Sequence, residues 1–139
     1  MSLRLLAAVS MLALCASVHA ARPLEDVDYH GWVDEVDTTH VVGWAADKNR
    51  LNQAVAVCFF GCSEPFQPLS KCKQLGKTLA TLSRPDVGSY LGDEGMHGFD
   101  YRWKSPIGEA CYVRVGYASP DSGQEIYGID GRGWLVCQK

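Results

Sequence analysis

Short runs of apolar residues alternate with turn residues along most of the chain, and none keeps the 3.6-residue period of a capped helix. Within several runs every second residue is apolar, which is typical of an antiparallel strand with one face in the core. Seven or eight such strands favour an all-β fold, a single antiparallel β-sandwich. Residues 83–95, which hold Pro85 and three glycines, are expected to form a long, turn-rich connection. The predicted strands are 29–36, 40–46, 54–60, 74–82, 99–103, 111–118, 125–129 and 134–137.

The alternation also assigns side chains to the two faces of each strand. In the C-terminal strands Val113 and Leu135 point into the core, whereas Tyr112, Arg114 and Trp134 point to solvent. A one-residue slip would bury the arginine, so the hydrophobic pattern predicts a definite register.

The first twenty residues have the features of a cleaved signal peptide. Arg4 supplies a positive charge, 5–16 is apolar over about a dozen residues, and Val18-His19-Ala20 matches the small-x-small cleavage pattern. Cys15 lies in a segment that resembles a bacterial lipobox, but the large Leu14 before it departs from that pattern. We therefore expect a secreted or periplasmic protein.

Removal of residues 1–20 leaves a short polar lead at 21–28 and one domain at 29–139. A hydrophobic fraction of 47% suits a packed domain, and a net charge of -3 argues against binding to nucleic acid. No other stretch approaches the roughly 20 apolar residues of a spanning helix, so we expect no membrane span.

Export to an oxidising space predicts a disulfide-braced domain. Strands at 54–60 and 74–80 would pair about a midpoint near Gln67, which sets Cys62 against Cys72 and leaves Cys58 as the spare thiol. A bridge from Cys58 to Cys72 is the alternative. Zinc is not expected, because the spacing lacks a C-x-x-C pair and no histidine lies nearby. The cysteines that follow the signal peptide are Cys58, Cys62, Cys72, Cys111 and Cys137.

The second predicted bridge joins Cys111 to Cys137, which share the inward parity of their strands. That pairing sets Val113 against Leu135 in the core. It also sets Arg114 against Trp134 outside, where the guanidinium can stack on the indole ring. The predicted strand at 125–129 is the competing neighbour, since it can insert between the two.

Several short motifs occur in a distinctive order: Gly31-Trp32-Val33-Asp34, Val42-Gly43-Trp44-Ala45, Arg84-Pro85-Asp86-Val87, His97-Gly98-Phe99 and the strand 113–117. In this order they resemble a bacterial extracellular module found repeatedly in large secreted or surface proteins. The resemblance covers most of the mature chain and implies a β-sandwich that binds glycan or protein. This chain departs from the pattern in its own signal peptide and in a cysteine- and proline-rich insert at 58–72.

The motif residues have structural interpretations. Arg84 is expected to pair with a carboxylate and brace the long connection, Asp86 to cap a turn, and His97 to hydrogen-bond the turn before Phe99. Trp44 shares the parity of its apolar neighbours and is expected in the core. The alternatives make Arg84 a ligand for an anion and His97 a ligand or pH sensor.

A calcium site is the alternative interpretation of Asp93-Glu94-Gly95 with Asp86 or Asp100. Because the spacing matches no known calcium loop, a solvated acidic turn is expected and no metal is predicted. The chain also lacks a Gly-x-Ser-x-Gly elbow, a His-Glu-x-x-His motif and a phosphate-binding glycine loop. We therefore predict neither catalysis nor a cofactor.

Outward aromatic residues are the best candidates for binding, because their rings offer a large contact area to apolar sugar surfaces. The predicted binding surface consists of Trp134, Tyr112 and Arg114, with Trp32 as a further member. An ordinary cross-strand aromatic pair is the structural alternative.

Two functions fit these features. The first is a secreted or periplasmic non-catalytic module that recognises glycan, cell-wall material or a protein. The second is a periplasmic inhibitor or immunity protein that blocks an enzyme or toxin, favoured by small size, acidic charge and a disulfide-braced loop.

Overall fold

The computed structural model describes residues 26–105, 107, 112–118 and 127–131 as two antiparallel sheets packed face to face. Sheet A has the strand order β1-β2-β6-β5, and sheet B has the order β4-β3-β7-β8. The predicted all-β sandwich of seven to eight short strands is confirmed. In chain order the strands are β1 (Tyr29–Val36), β2 (His40–Asp47), β3 (Val55–Cys62), β4 (Lys73–Ala80), β5 (Leu82–Ser83), β6 (Met96–Arg102), β7 (Tyr112–Tyr117) and β8 (Tyr127–Gly128), with one helix, α1 (Pro85–Leu91), between β5 and β6 and a 3₁₀ turn at Leu69–Lys71.

The β1–β2 hairpin is closed by Asp37. Its carboxylate accepts hydrogen bonds from the backbone N–H groups of Thr39 at 2.7 Å and His40 at 2.9 Å, and from the Thr39 hydroxyl at 2.8 Å. These donors, that of Thr39 foremost, favour the charged form and lower the pKa of Asp37 to about 2. A short side chain that binds the backbone two residues on is the chemistry that makes aspartate a turn residue.

Phe59 lies at the centre of the core, on the middle strand of sheet B, with no exposed surface. Its ring lies 5.7 Å from that of Phe99, 5.0 Å from that of Tyr101 and 5.7 Å from that of Trp103, measured between centroids. Phe99 and Tyr101 lie on β6 of sheet A and Trp103 directly follows it, so the aromatic cluster joins the two sheets. The Tyr101 ring fits against Gly76, where any Cβ would collide with it.

The Cys62–Cys72 bridge is confirmed, with a Cα–Cα distance of 4.6 Å. The register of β3 and β4 explains it, because Gly61 pairs with Lys73 and the next pair outward is the two cysteines. The prediction for Cys58 is wrong: this cysteine is also disulfide-bonded, to a partner outside the described residues. Cys58 is buried on the outer face of sheet B beside Phe60.

Residues 83–95 contain a helix that the sequence pattern does not predict. Helix α1 begins at Pro85 and ends at Leu91, and Gly92 caps it in the left-handed conformation. The helix buries Val87 and Leu91. These side chains pack on Ala46, on the outer face of sheet A. With seven residues the helix is too short for a 3.6-residue period to stand out, and proline and glycine suit its first position and its cap.

This helix also overturns the prediction that Trp44 lies in the core. Trp44 is half-buried on the outer face of sheet A, where it packs beside Val87 and Leu91. The inward positions of β2 are Val41 and Ala45 instead. Alternation was informative, but α1 makes apolar residues favourable on both faces of the strand, so parity alone does not identify the core face.

The segment 127–131 joins the two sheets along one edge. Strand β8 pairs with β7 through Gly116 and Gly128, and Gly131 then forms a parallel bridge to Val33 of β1. The Val33 backbone N–H donates to the Asp130 carbonyl at 2.8 Å. The sequence pattern predicts a strand at 125–129 as the competing neighbour of the strand that begins at Cys111, and β8 is the strand that pairs with β7 there.

The predicted Cys111–Cys137 bridge and its cross-strand register lie outside the described residues, as does the predicted signal peptide. Within the described part of the chain, no helix is both long and apolar enough to cross a membrane.

Removal of the Cys62–Cys72 disulfide tests how much it stabilises the domain. The double variant Cys62→Ser/Cys72→Ser should unfold with a free energy about 2–5 kcal/mol lower, because its loop is no longer closed in the unfolded chain. Urea denaturation measures the loss, with Ser63→Ala as the control inside the same loop. Peptide mapping without reduction should show this pair, and a Cys58–Cys72 peptide would contradict it.

The pKa of Asp37 predicts a pH-dependent stability. Its folded value of about 2 lies below the usual unfolded value of about 3.9, so its charge stabilises the fold above pH 4. That contribution is lost as the pH falls towards 2. After allowance for solvent screening, Asp37→Asn should cost about 1 kcal/mol at neutral pH.

The difference between wild type and Asp37→Asn, measured by urea denaturation at several pH values, should disappear near pH 2. Glu35→Gln, an exposed carboxylate on the same hairpin, is the control. A difference that stays constant from pH 7 to pH 2 would contradict the assignment.

Candidate functional site

Three aromatic side chains gather on the outer face of sheet A. Trp32 of β1 and Trp44 of β2 are directly opposite in the strand register, so both point away from the core. Tyr90 of α1 places its ring 5.9 Å from that of Trp44, edge to face. Trp32 is 42% exposed and Tyr90 is 61% exposed. We refer to Trp32, Trp44 and Tyr90 as the aromatic surface.

Hydrogen bonds hold the outermost of these rings in place. The Tyr90 hydroxyl lies 3.2 Å from His30 Nδ1, and His30 Nε2 lies 3.2 Å from the Asp28 carboxylate. When Nε2–H donates to Asp28, Nδ1 accepts the hydroxyl proton of Tyr90. This chain of contacts fixes the ring orientation of Tyr90 and places two polar side chains beside the aromatic surface.

Arg84 forms a second polar group on the same face. Its guanidinium donates to Asp86 through Nε at 3.0 Å and Nη2 at 2.9 Å, and to Asp34 of β1 through Nη1 at 2.8 Å. The Asp86 hydrogen bonds, followed by Asp34, raise the pKa of Arg84. The stem crosses the sheet at Gly98, where a Cβ would lie 2.7 Å from Arg84 Cγ. Arg84 therefore braces the start of α1 against β1, with each nitrogen of its guanidinium on a carboxylate.

His97 and Asp93 form a separate pair beneath the loop that precedes β6. His97 is buried, and its Nε2 lies 2.6 Å from Asp93 Oδ2, while Asp93 Oδ1 accepts the backbone N–H of Gly95 at 2.8 Å. The hydrogen bond from His97 lowers the pKa of Asp93. His97 thus lies against the turn before Phe99, where the sequence places it.

The structure separates Trp32 from two other members of the predicted binding surface. Tyr112 and Arg114 lie on β7 of sheet B, whereas Trp32 lies on β1 of sheet A, so the two sets occupy opposite faces of the sandwich. Arg114 donates to the Gln67 carbonyl at 2.8 Å and supports the disulfide-braced loop. Trp134 lies outside the described residues.

Trp44 and Tyr90 are the members of the aromatic surface that sequence reasoning did not identify. The sequence did contain information that could have identified Trp44. A hairpin with its turn at 37–39 pairs Trp44 with Trp32, so the two side chains share a face. Tyr90 had no comparable signal, because its position depends on a helix too short to be recognised.

One group of possible metal ligands occurs among the described residues, at the β1–β2 turn. It consists of Glu35, Asp37 and His40, whose ligand atoms lie within 4.8 Å of one another. Asp37 already accepts the hydrogen bonds that close the turn, and His40 Nδ1 lies 2.9 Å from the Thr39 hydroxyl. These contacts account for the cluster as part of the turn.

Arg84→Ala should lower the free energy of unfolding by about 1–2 kcal/mol, because it leaves Asp34 and Asp86 without their shared partner. Arg84→Lys should restore only part of the loss, since an ammonium cannot form the same fork with two carboxylates. Urea denaturation measures both. Arg102→Ala removes an exposed arginine of the same sheet, and an equal loss in that control would contradict the role of Arg84.

Comparison with protein-family models, with curated proteins and with solved structures found no match to this chain. The function is therefore inferred from the arrangement of its own residues.

Proposed function

We propose that this protein is a secreted or periplasmic, non-catalytic binding protein that recognises a glycan through the aromatic surface on sheet A. The observation that carries the proposal is the grouping of Trp32, Trp44 and Tyr90 on one face, with the first and last of them substantially exposed.

Ring faces suit a glycan because the axial C–H groups of a sugar form apolar patches that stack on aromatic rings at little entropic cost. Sugars also need hydrogen-bonding partners at the edges of such a surface. His30 lies on one side of Tyr90, and the carboxylates of Asp34 and Asp86 lie with Arg84 on the same sheet face. Fixed polar groups around exposed rings are the usual composition of a specific binding site.

In the part of the chain that the structure describes, the other exposed apolar side chains form no comparable group of aromatic rings. Leu79, Leu82 and Met96 are exposed aliphatic or thioether residues, which are common on protein surfaces and need no explanation. The aromatic surface differs because the rings of Trp44 and Tyr90 are in contact, Trp32 stands opposite Trp44 in the register, and Tyr90 is hydrogen-bonded to His30.

The disulfide-braced loop supports a second candidate, an inhibitor that blocks the cleft of an enzyme or toxin. Phe66 lies in the loop closed by Cys62 and Cys72 and is 90% exposed. The Gln67 side chain accepts the Ser63 N–H at 2.8 Å and donates to the Lys71 carbonyl at 3.2 Å. A preorganised loop that presents an apolar side chain loses little entropy on binding, which favours insertion into a cleft.

Binding of the purified protein to an array of bacterial and plant glycans tests the first candidate. Trp32→Ala and Tyr90→Ala should each weaken binding to the retained glycans at least about tenfold, because each removes a ring contact worth about 1.5 kcal/mol or more. The melting temperature of Trp32→Ala should change little, since the residue lies at the sheet surface.

Phe66→Ala is the matched control, an equally drastic loss of an exposed aromatic ring at the other candidate site. Glycan binding should be unchanged in this variant. An array without specific binding, or full binding by Trp32→Ala and Tyr90→Ala, would refute the proposal. The second candidate would be established instead if the wild-type protein inhibits a purified periplasmic enzyme, if Phe66→Ala abolishes that inhibition, and if Trp32→Ala and Tyr90→Ala retain it.

A further inference from the structure

Cys58 is disulfide-bonded, and its partner lies outside the described residues. Cys62 and Cys72 are joined to each other, so neither of them is that partner. The register of sheet B and the length of the chain after β8 decide between the cysteines that remain. These are Cys15, Cys111 and Cys137.

The pairing of β3 with β7 excludes Cys111 as the partner. Tyr112 pairs with Cys62, which lies about 13 Å along β3 from Cys58. Because adjacent Cα atoms are about 3.8 Å apart, Cys111 stays about 9 Å or more from Cys58. A disulfide needs Cα atoms within about 7 Å of each other, so Cys58 and Cys111 are too far apart to be joined.

The C-terminal residues, in contrast, are within reach of Cys58. Cys58 faces Gly116, and Gly116 faces Gly128, so two strand spacings of about 4.8 Å separate Cys58 from Gly128. Gly131 is three residues further along the chain, which places it within about 20 Å of Cys58. The six residues from Gly131 to Cys137 span up to about 20 Å when extended, so Cys137 can meet Cys58.

Burial of small residues on the outer face of sheet B shows that more chain covers this face. Cys58 has no exposed surface, Ala118 is 5% exposed, and Gly116 between them is also buried. Gly116 has no side chain and the other two have short ones, so they are too small to shield one another from solvent. Arg114, the next outward side chain of β7, is directed to the Gln67 carbonyl instead.

We propose that Cys58 forms a disulfide with Cys137 and that this bond fastens residues 132–139 over the outer face of sheet B. Cys15, the remaining cysteine, belongs to the predicted signal peptide and is removed on export. The pairing takes the place of the predicted Cys111–Cys137 bridge and leaves Cys111 as the odd cysteine.

The chemistry of both surfaces suits this contact. Residues 133–137 read Gly-Trp-Leu-Val-Cys, and the face that they cover consists of Cys58, Phe60, Cys62 and Ala118. Contact between two apolar surfaces removes both from water. The bond forms by oxidation of the two thiols, and their two electrons and two protons pass to a disulfide oxidoreductase of the exported compartment, which is reduced to its dithiol.

The proposal goes beyond glycan recognition and does not rest on it. A segment fastened over sheet B makes the outer face of that sheet unavailable to other molecules, and the aromatic surface on sheet A stays open. Cys137→Ser should therefore leave glycan binding unchanged, and Trp32→Ala should leave the disulfide unchanged, so each proposal can fail without the other.

Peptide mapping without reduction tests the pairing. The exported protein is unfolded, its free thiols are blocked with N-ethylmaleimide, and chymotrypsin then separates Cys58 from Cys62 at the phenylalanines between them. The Cys58 peptide should be joined to a peptide that contains Cys137, and Cys111 should carry the maleimide. Maleimide on Cys58, or a bond from Cys111 to either of the other two, would overturn the proposal.

Thiol counts in single variants test the same pairing independently. Five cysteines follow the signal peptide and two bridges use four of them, so the unfolded, unreduced wild type should have one free thiol. Cys111→Ser should have none and Cys137→Ser should have two. Two free thiols in Cys111→Ser would show that Cys111 is bridged and would refute the proposal.

Hydroxyl-radical footprinting tests the cover over sheet B. Phe60 is 8% exposed on this face, and Phe66 is 90% exposed and serves as the reference ring in the same chain. In Cys137→Ser the segment is no longer fastened, so oxidation of Phe60 should rise at least about threefold while that of Phe66 stays the same. Cys111→Ser is the matched control and should keep Phe60 protected. Equal oxidation of Phe60 in Cys137→Ser and wild type would contradict the cover.

Discussion

The packing of sheet A against sheet B depends on the ring contacts around Phe59. This side chain comes from the middle strand of sheet B, and Phe99, Tyr101 and Trp103 approach it from β6 and the residue after it. The Trp103 indole N–H then donates to the Asp37 carbonyl at 2.9 Å, so the cluster also positions the β1–β2 turn. With the sheets joined in this way, each retains an outer face, and the candidate binding groups lie on those faces.

Much of this architecture follows from local pattern. Strand β1 has the predicted bounds. The predicted midpoint near Gln67 gave the pairs of β3 and β4 next to the loop, but a bulge between Phe59 and Phe60 shifts the other pairs by one residue. Long-range order does not follow in the same way. Alternation predicts that Trp32 and Tyr112 point away from the core, but only the strand order shows that they lie on different sheets.

The aromatic surface also combines residues that local pattern predicts with residues that only the tertiary structure reveals. Trp32 was identified as an outward aromatic residue, whereas Trp44 was assigned to the core because α1 was not recognised. A strand covered by a helix on one side and a sheet on the other is apolar on both faces, so its parity does not distinguish them. Tyr90 depends on tertiary contacts with Trp44 and His30 that no local pattern encodes.

The bridge from Val33 to Gly131 has a consequence for how the molecule forms. Nearly the whole domain separates these residues in sequence, so their contact carries a large loop-closure entropy and is expected late in folding. The contact joins a strand of sheet A to the residues that follow β8 of sheet B, so it forms only when both sheets are in place. The hydrogen bond from the Val33 N–H to the Asp130 carbonyl is therefore also the place where the sandwich opens first, and the Val33 amide exchanges with solvent whenever this edge opens without the rest of the domain.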